Sequence, residues 1–231
     1  MNVNQRMLTM KKLLLAAVLT ALTSTAFAEG FEGLDISAGV SDQHINFGGG
    51  SQTNNGDSFE VFNDVGKTNV NGNFNFGYNL KYQDKFILGV QASLQPISSD
   101  TAYVQKTPGT VSSNKLDSRY DLSFLPGYLI TPETLVYGKI GYSYAKRDIA
   151  NVNGAWSSSL NYNGYVVGLG LKSFELGELV NLHHLYGFAE INYADYGKQI
   201  YSVVNTSGAS VVSSSLKMDM TTGIVGIGFV F

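Results

Sequence analysis

Asn73-Phe74-Asn75-Phe76-Gly77-Tyr78-Asn79-Leu80-Lys81-Tyr82 alternates without a break between apolar or aromatic residues and polar or small ones. Successive side chains of a β-strand point to opposite faces, so this stretch predicts a strand with one greasy face (Phe74, Phe76, Tyr78, Leu80, Tyr82) and one polar face. A helix would wind these residues around its axis and leave neither face apolar.

Working outward, the same period of two recurs in seven further segments. Leu34, Ile36, Ala38 and Val40 oppose Asp35, Ser37 and Gly39. Phe86, Leu88, Val90, Ala92 and Leu94 oppose Gly89, Gln91, Ser93 and Gln95. Leu116, Tyr120, Leu122, Phe124 and Tyr128 oppose Asp117, Arg119, Asp121 and Ser123. Val136, Ile140, Tyr142 and Tyr144 oppose Lys139, Gly141 and Ser143. Tyr165, Val167, Leu169 and Leu171 oppose Gly168, Gly170 and Lys172. Leu185, Ala189, Ile191 and Tyr193 oppose Tyr186, Phe188, Glu190 and Asn192. The chain closes on Val225, Ile227, Phe229 and Phe231, with Gly226 and Gly228 between. Each segment suits a tilted membrane-spanning strand of roughly 9–11 residues.

The connections alternate in length. Polar stretches at about 41–66, 96–114, 147–160 and 198–215 read as long loops. Residues 83–85, 130–134 and about 175–182 read as short turns. Long and short in turn is the rhythm of a meander with one end in the periplasm and the other outside. The first connection is long, so both chain ends are expected in the periplasm, with four loops outward.

The front of the chain predicts export. Lys11 and Lys12 precede an apolar run, Leu13 to Leu22, which ends at the small-x-small site Ala26-Phe27-Ala28. The run is shorter than the ~20 residues a spanning helix needs. Residues 1–28 are therefore expected to be a signal peptide and 29–231 a single barrel domain, and Met10, next to the lysines, is the better-placed initiator than Met1. Cleavage would remove three of the 15 basic residues and none of the 18 acidic ones, a net charge of −6. Such a chain is a poor partner for nucleic acid, which needs clustered positive charge. There is no cysteine, so disulfides and thiolate metal sites are excluded. Gly (26), Tyr (14) and Phe (13) are plentiful against 4 Pro, the composition of a curved barrel with aromatic girdles.

The expected fold is all-β, an eight-stranded antiparallel transmembrane up-and-down β-barrel. A lipocalin-like soluble barrel would also alternate, but with its apolar face inward around a ligand. Here the polar face mixes small residues with charges, as a filled interior would, and the apolar face concentrates Tyr and Phe near strand ends. Eight strands leave an interior just wide enough for side chains. Inward charges must then pair, because an isolated ion is costly to desolvate. Height along the strands places Arg119, Asp121, Lys139 and Glu190 near mid-depth, with Asp117 nearer the loops and Lys81 and Lys172 nearer the turns. A charge network of those four, standing in for an apolar core, is the expectation.

Gly138-Lys-Ile-Gly-Tyr142, Gly164-Tyr-Val-Val-Gly-Leu-Gly170, Glu190-Ile-Asn-Tyr-Ala-Asp-Tyr-Gly197 and Gly226-Ile-Gly-Phe-Val-Phe231 carry a resemblance to the small Gram-negative outer-membrane barrels of the OmpA/OmpX-like and opacity-protein type. The resemblance spans the mature chain. It implies that Glu190 joins an interior salt-bridge network and that the closing aromatics, Phe229 and Phe231, are read by the barrel-assembly machinery. The sequence departs from the larger members in having no peptidoglycan-binding domain after the barrel, so tethering to the cell wall is not carried over.

Other motifs carry little chemistry. Gly168-Leu-Gly170 and Gly226-Ile-Gly228 lie inside strands without a following helix, so they are not phosphate loops. His183 and His184 are adjacent on a strand and face opposite ways, a poor metal clamp; His44 stands alone in the first loop. Asn205-Thr206-Ser207 is a polar turn. Trp156, Tyr103 and Tyr201 are the loop aromatics best suited to contact a partner. The expected role is structural or surface-interacting, with a plugged barrel displaying four loops. A narrow non-specific pore for small solutes is the alternative and a lipid-modifying enzyme the third reading. No catalytic residue, cofactor or metal is expected. The partners expected are outer-membrane lipid and lipopolysaccharide, the assembly machinery, and a surface ligand met by the loops.

Overall fold

The computed structural model describes residues 30–54, 57–60, 65–104, 111–151, 157–204 and 211–231. The signal segment and Trp156 lie outside these residues. In chain order the elements are β1 (Gly33–Asn54), β2 (Asp57–Glu60), β3 (Val65–Tyr82), β4 (Phe86–Val104), β5 (Val111–Thr131), β6 (Thr134–Asn151), β7 (Ser157–Ser173), the short helix α1 (Glu175–Leu179), β8 (Leu185–Val204) and β9 (Val211–Val230). Each neighbour pairs antiparallel, and β9 returns to pair with β1 from Asp35↔Val230 upward, so the sheet closes on itself. The ends are tied at the same place: Leu34 N–H donates to the Phe231 carbonyl and Phe231 N–H to the Leu34 carbonyl. Because the other flank of β1 at Ser51–Asn54 is taken by β9, β2 continues the track of β3. The barrel therefore has eight tracks.

One end of the cylinder, the turn end, carries the tight connections at 83–85 and 132–133 and the α1 connection. Gln83 adopts a positive φ of 61° in the first of these. At the other, the hairpin end, the strands run on well past the expected length. Stretches expected to be long loops are mostly ladder: β4 and β5 stay paired to Val104↔Val111 and β8 and β9 to Val204↔Val211. The strands thus have 17–22 residues apart from β2. Their upper parts, rich in Ser, Thr and Asn, do not look apolar on one face, and only an apolar face marks a strand by alternation.

Phe74, Phe76, Tyr78, Leu122, Ile140, Leu169 and Ile191 point outward and are about half exposed on the isolated chain, while Asn73, Asn75, Gln91, Asp121, Lys139 and Glu190 are buried inside. One expectation of phase is reversed at the top of β5. A register shift between Leu116 and Ser118 turns Leu116 inward, where it is 2% exposed, and leaves Asp117 outside. A bulge inserts one unpaired residue, and one residue is enough to swap the two faces.

The interior also differs from expectation in not being wholly polar. An apolar cluster at the turn end gathers Phe31, Ile87, Leu135, Phe174, Tyr186 and Phe188 among others. A second, nearer the hairpin end, gathers Leu116, Tyr162, Val166, Tyr196, Met218 and Met220 among others. Inward glycines make the room: a Cβ on Gly170 would overlap the Tyr137 ring, and one on Gly228 the Tyr186 ring.

Candidate functional site

The inward face of β8 runs Tyr186, Phe188, Glu190, Asn192, Ala194, Tyr196, and three buried ion pairs are stacked along its height. Lowest, Asp35 of β1 is paired with Lys172 of β7 and accepts hydrogen bonds from Tyr186 Oη and, at 3.1 Å, from Asn79 Nδ2. The Lys172 ammonium lies 5.1 Å from the centre of the Tyr186 ring and 5.4 Å from that of Tyr137. In the middle, Lys139 Nζ donates to Glu190 Oε1 at 2.9 Å, and Tyr137 Oη donates to Glu190 Oε2 at 2.8 Å. Asn192 Nδ2 adds a further bond to Oε1. Highest, Arg119 Nε meets Asp121 Oδ1 at 2.9 Å, and Ser143 Oγ donates to the same oxygen at 2.6 Å. Arg119 Nη1 reaches Thr222 Oγ1 at 3.2 Å, and Tyr196 Oη lies 2.8 Å from Ser143 Oγ.

The structure thus brings Arg119 to Asp121 and Lys139 to Glu190, but their hydrogen bonds form two separate clusters and not one network of four. The ion pairs are also interleaved with the apolar clusters instead of replacing them: Tyr186 and Tyr137 of the lower cluster bond to Asp35 and Glu190, and Met220 of the upper one meets Arg119. Desolvating an ion costs several kcal/mol, and these pairs recover it only because each carboxylate accepts hydrogen bonds from neutral donors as well. Removing one partner would strand the other, at about 3–5 kcal/mol.

Three members of this interior escaped the sequence reading. Asp35 and Lys172 were read on the polar faces of their strands, Lys172 near the turns, but neither was expected in the charge network. Arg147 fell in an expected loop. It is fully buried, with Nη1 donating to Tyr162 Oη at 3.2 Å, and it continues the inward phase of Lys139, Gly141, Ser143 and Ala145. Lys81, by contrast, is exposed at the turn-end mouth.

The closing aromatics sit at that same end. Phe229 pairs across to Ile36 and Leu185, and its ring stacks on Phe231 at 6.3 Å between centres. Tyr103 and Tyr201 lie on the backbone of β4 and β8, paired with Ser112 and Ser214, and their side chains lie outside the described residues. His44 Nδ1 is 3.2 Å from Thr68 Oγ1 on the outer surface, and His183 is exposed beside α1. Among the described residues no three His, Asp or Glu side chains are grouped to hold a metal ion. No helix among them is long and apolar enough to cross a membrane, which bears on helices alone.

The family model described as Outer membrane protein beta-barrel domain matches residues 14–230. No curated protein sequence matches the chain. Among solved structures, the outer membrane protein OprG from Pseudomonas aeruginosa is similar with a TM-score of 0.59 at 15% identity, over 88% of this chain and 98% of that one. The outer membrane protease OmpT from Escherichia coli gives 0.51 at 8% identity, over 90% and 100%. Ail, the attachment invasion locus protein of Yersinia pestis, gives 0.48 at 13% identity, over 87% and 99%. At such identities the likeness is one of fold.

Proposed function

Because the chain belongs to the outer membrane β-barrel domain family, whose members lie in the bacterial outer membrane, we propose that it works there as a plugged barrel, structural in its body and interactive through its hairpins. The observation that carries this reading is the filled interior. Apolar side chains at two levels and three ion pairs occupy the cylinder, and a hydrated ion would have to displace them. In this reading both chain ends face the periplasm and the four hairpins face outward. There, Tyr103, Trp156 and Tyr201 are the candidate contacts for a surface ligand. The barrel performs no catalysis; its standing partners are outer-membrane lipid and lipopolysaccharide.

Planar-bilayer recording tests this directly. The purified barrel is expected to give no stable openings, and regular stepwise conductance would overturn the plugged reading. A narrow pore is the second reading, favoured by one observation: both polar atoms of the Asn73 amide, buried on the β3 wall, lack a hydrogen-bond partner, as does Asn75 Oδ1. Phe229 and Phe231 are, in the same proposal, the end read by the assembly machinery. Deleting Phe231 should then sharply reduce the compact form seen on unboiled gels of outer membranes, and an undiminished compact form would refute the assignment.

A further inference from the structure

At the turn end a cleft of about 560 Å³ lies between the β3–β4 turn, the β5–β6 turn and the segment leading into β1. Its size is within the roughly 300–1,000 Å³ of small-molecule sites. Its walls are of two kinds. Phe31, Ile87, Leu129 and Ile130 are apolar; Lys81, Asp84 and Lys85 add two basic residues and one acidic one to the lining.

The cleft straddles the rim of the barrel. Ile87 is buried inside, whereas Ile130 is 56% exposed on the outer wall. Directly beside it the outer wall carries the aromatic pair Phe86 and Tyr128, 5.2 Å between ring centres, with Lys85 Nζ 6.0 Å from the Tyr128 ring centre. Interfacial rings of this kind mark the boundary between hydrocarbon and headgroups. The turn is held in place by the Leu129 N–H bonding to the Lys85 carbonyl at 2.8 Å. The lysines therefore project from a fixed frame.

An occupant of this cleft must carry a negative group for two lysines, a positive group for Asp84, and hydrocarbon that continues along Ile130 and Phe86. A free phosphate offers only the first, and a fatty acid lacks the second. We propose that the cleft is a headgroup site for an aminophospholipid such as phosphatidylethanolamine. Its phosphate lies against Lys81 and Lys85, its ammonium against Asp84, and its acyl chains run down the outer wall. The site would hold the turn end of the barrel at the leaflet it faces. It requires a barrel in a membrane but is independent of what the hairpins bind and of whether the lumen conducts.

Native mass spectrometry of the detergent-solubilised barrel tests this, with phosphatidylethanolamine, phosphatidylglycerol and phosphatidylcholine added in turn. The expected result is a retained phosphatidylethanolamine adduct about tenfold stronger than the phosphatidylcholine one. Asp84→Asn should remove that preference, because the two lipids share the phosphate and differ in the ammonium, and Lys81→Ala with Lys85→Ala should weaken retention of both about tenfold. Unboiled gel mobility checks that each variant is folded; should the double variant not fold, Asp84→Asn alone decides through selectivity. Equal adducts of all three lipids, an unchanged preference in folded Asp84→Asn, undiminished retention in the folded double variant, or equal retention of inorganic phosphate would overturn the proposal. None of these outcomes bears on the bilayer recordings, so the two readings fail separately.

Discussion

Below the level of Phe74 and Tyr165 every track of the barrel is hydrogen-bonded on both flanks. Above it two of the eight contacts between neighbours are missing. β3 pairs with β4 only as far as Phe74↔Leu94, and β7 with β8 only as far as Tyr165↔Asp195. The remaining ladders continue, so the upper wall is two sheets: β8, β9, β1 and the β2–β3 track in one, β4 to β7 in the other. The difference teaches where lipid stops. In hydrocarbon an unpaired N–H or C=O costs several kcal/mol, so only a closed wall survives; in water a free edge is simply hydrated. Side chains change at the same height. Tyr120, Tyr144, Tyr165 and Tyr193 stand on the outer wall there, and Asp117, Asn163 and Lys198 follow them toward the hairpins on β5, β7 and β8.

The body and the crown should therefore respond differently to the loss of a charge pair. Glu190→Lys would set two cations against each other inside the barrel, with Tyr137 and Asn192 left facing them. The expected cost is at least the roughly 3–5 kcal/mol of a stranded buried ion. It should appear as loss of the compact unboiled form and a lower denaturant midpoint in lipid vesicles. Retention of heat resistance would show that the pairs do not hold the body together. In the crown, Lys217 lies 3.8 Å from Asp195 and is about half exposed. Lys217→Ala should change the same midpoint by no more than about 0.5 kcal/mol. A cost comparable to that of Glu190→Lys would erase the distinction between body and crown.

The body was largely legible in the sequence. Asn73–Tyr82 and Val225–Phe231 alternate because each residue meets either lipid or a packed interior, and the code has two letters. The inward phase of Arg119, Asp121, Lys139 and Glu190 followed from it. What alternation could not convey is partner choice: which carboxylate meets which cation depends on register across strands, and β5 and β8 are not neighbours. Nor could it convey the bulge at Leu116–Ser118, whose one extra residue has no signature beyond the exposed Asp117 it produces. The inward rings were hidden for another reason. Tyr186 and Phe188 were assigned to the polar face by phase, but an aromatic there fits only opposite glycines such as Gly228 and Gly226, a pairing visible once β8 lies beside β9. The crown was read as loop because its sequence, rich in Ser, Thr and Asn, shows no sustained apolar alternation.

The central claim is that the outward face of the body lies in hydrocarbon while its neighbours in sequence are sealed inside. The chain has no cysteine, so single cysteines placed at Phe76, Ser93, Ile140 and Ser143 in a vesicle-reconstituted barrel can each carry a fluorophore. Quenching by nitroxide groups on the lipid chains is expected to be strong at 76 and 140 and weak at 93 and 143. Equal quenching at all four positions, or stronger quenching at 93 and 143, would contradict it.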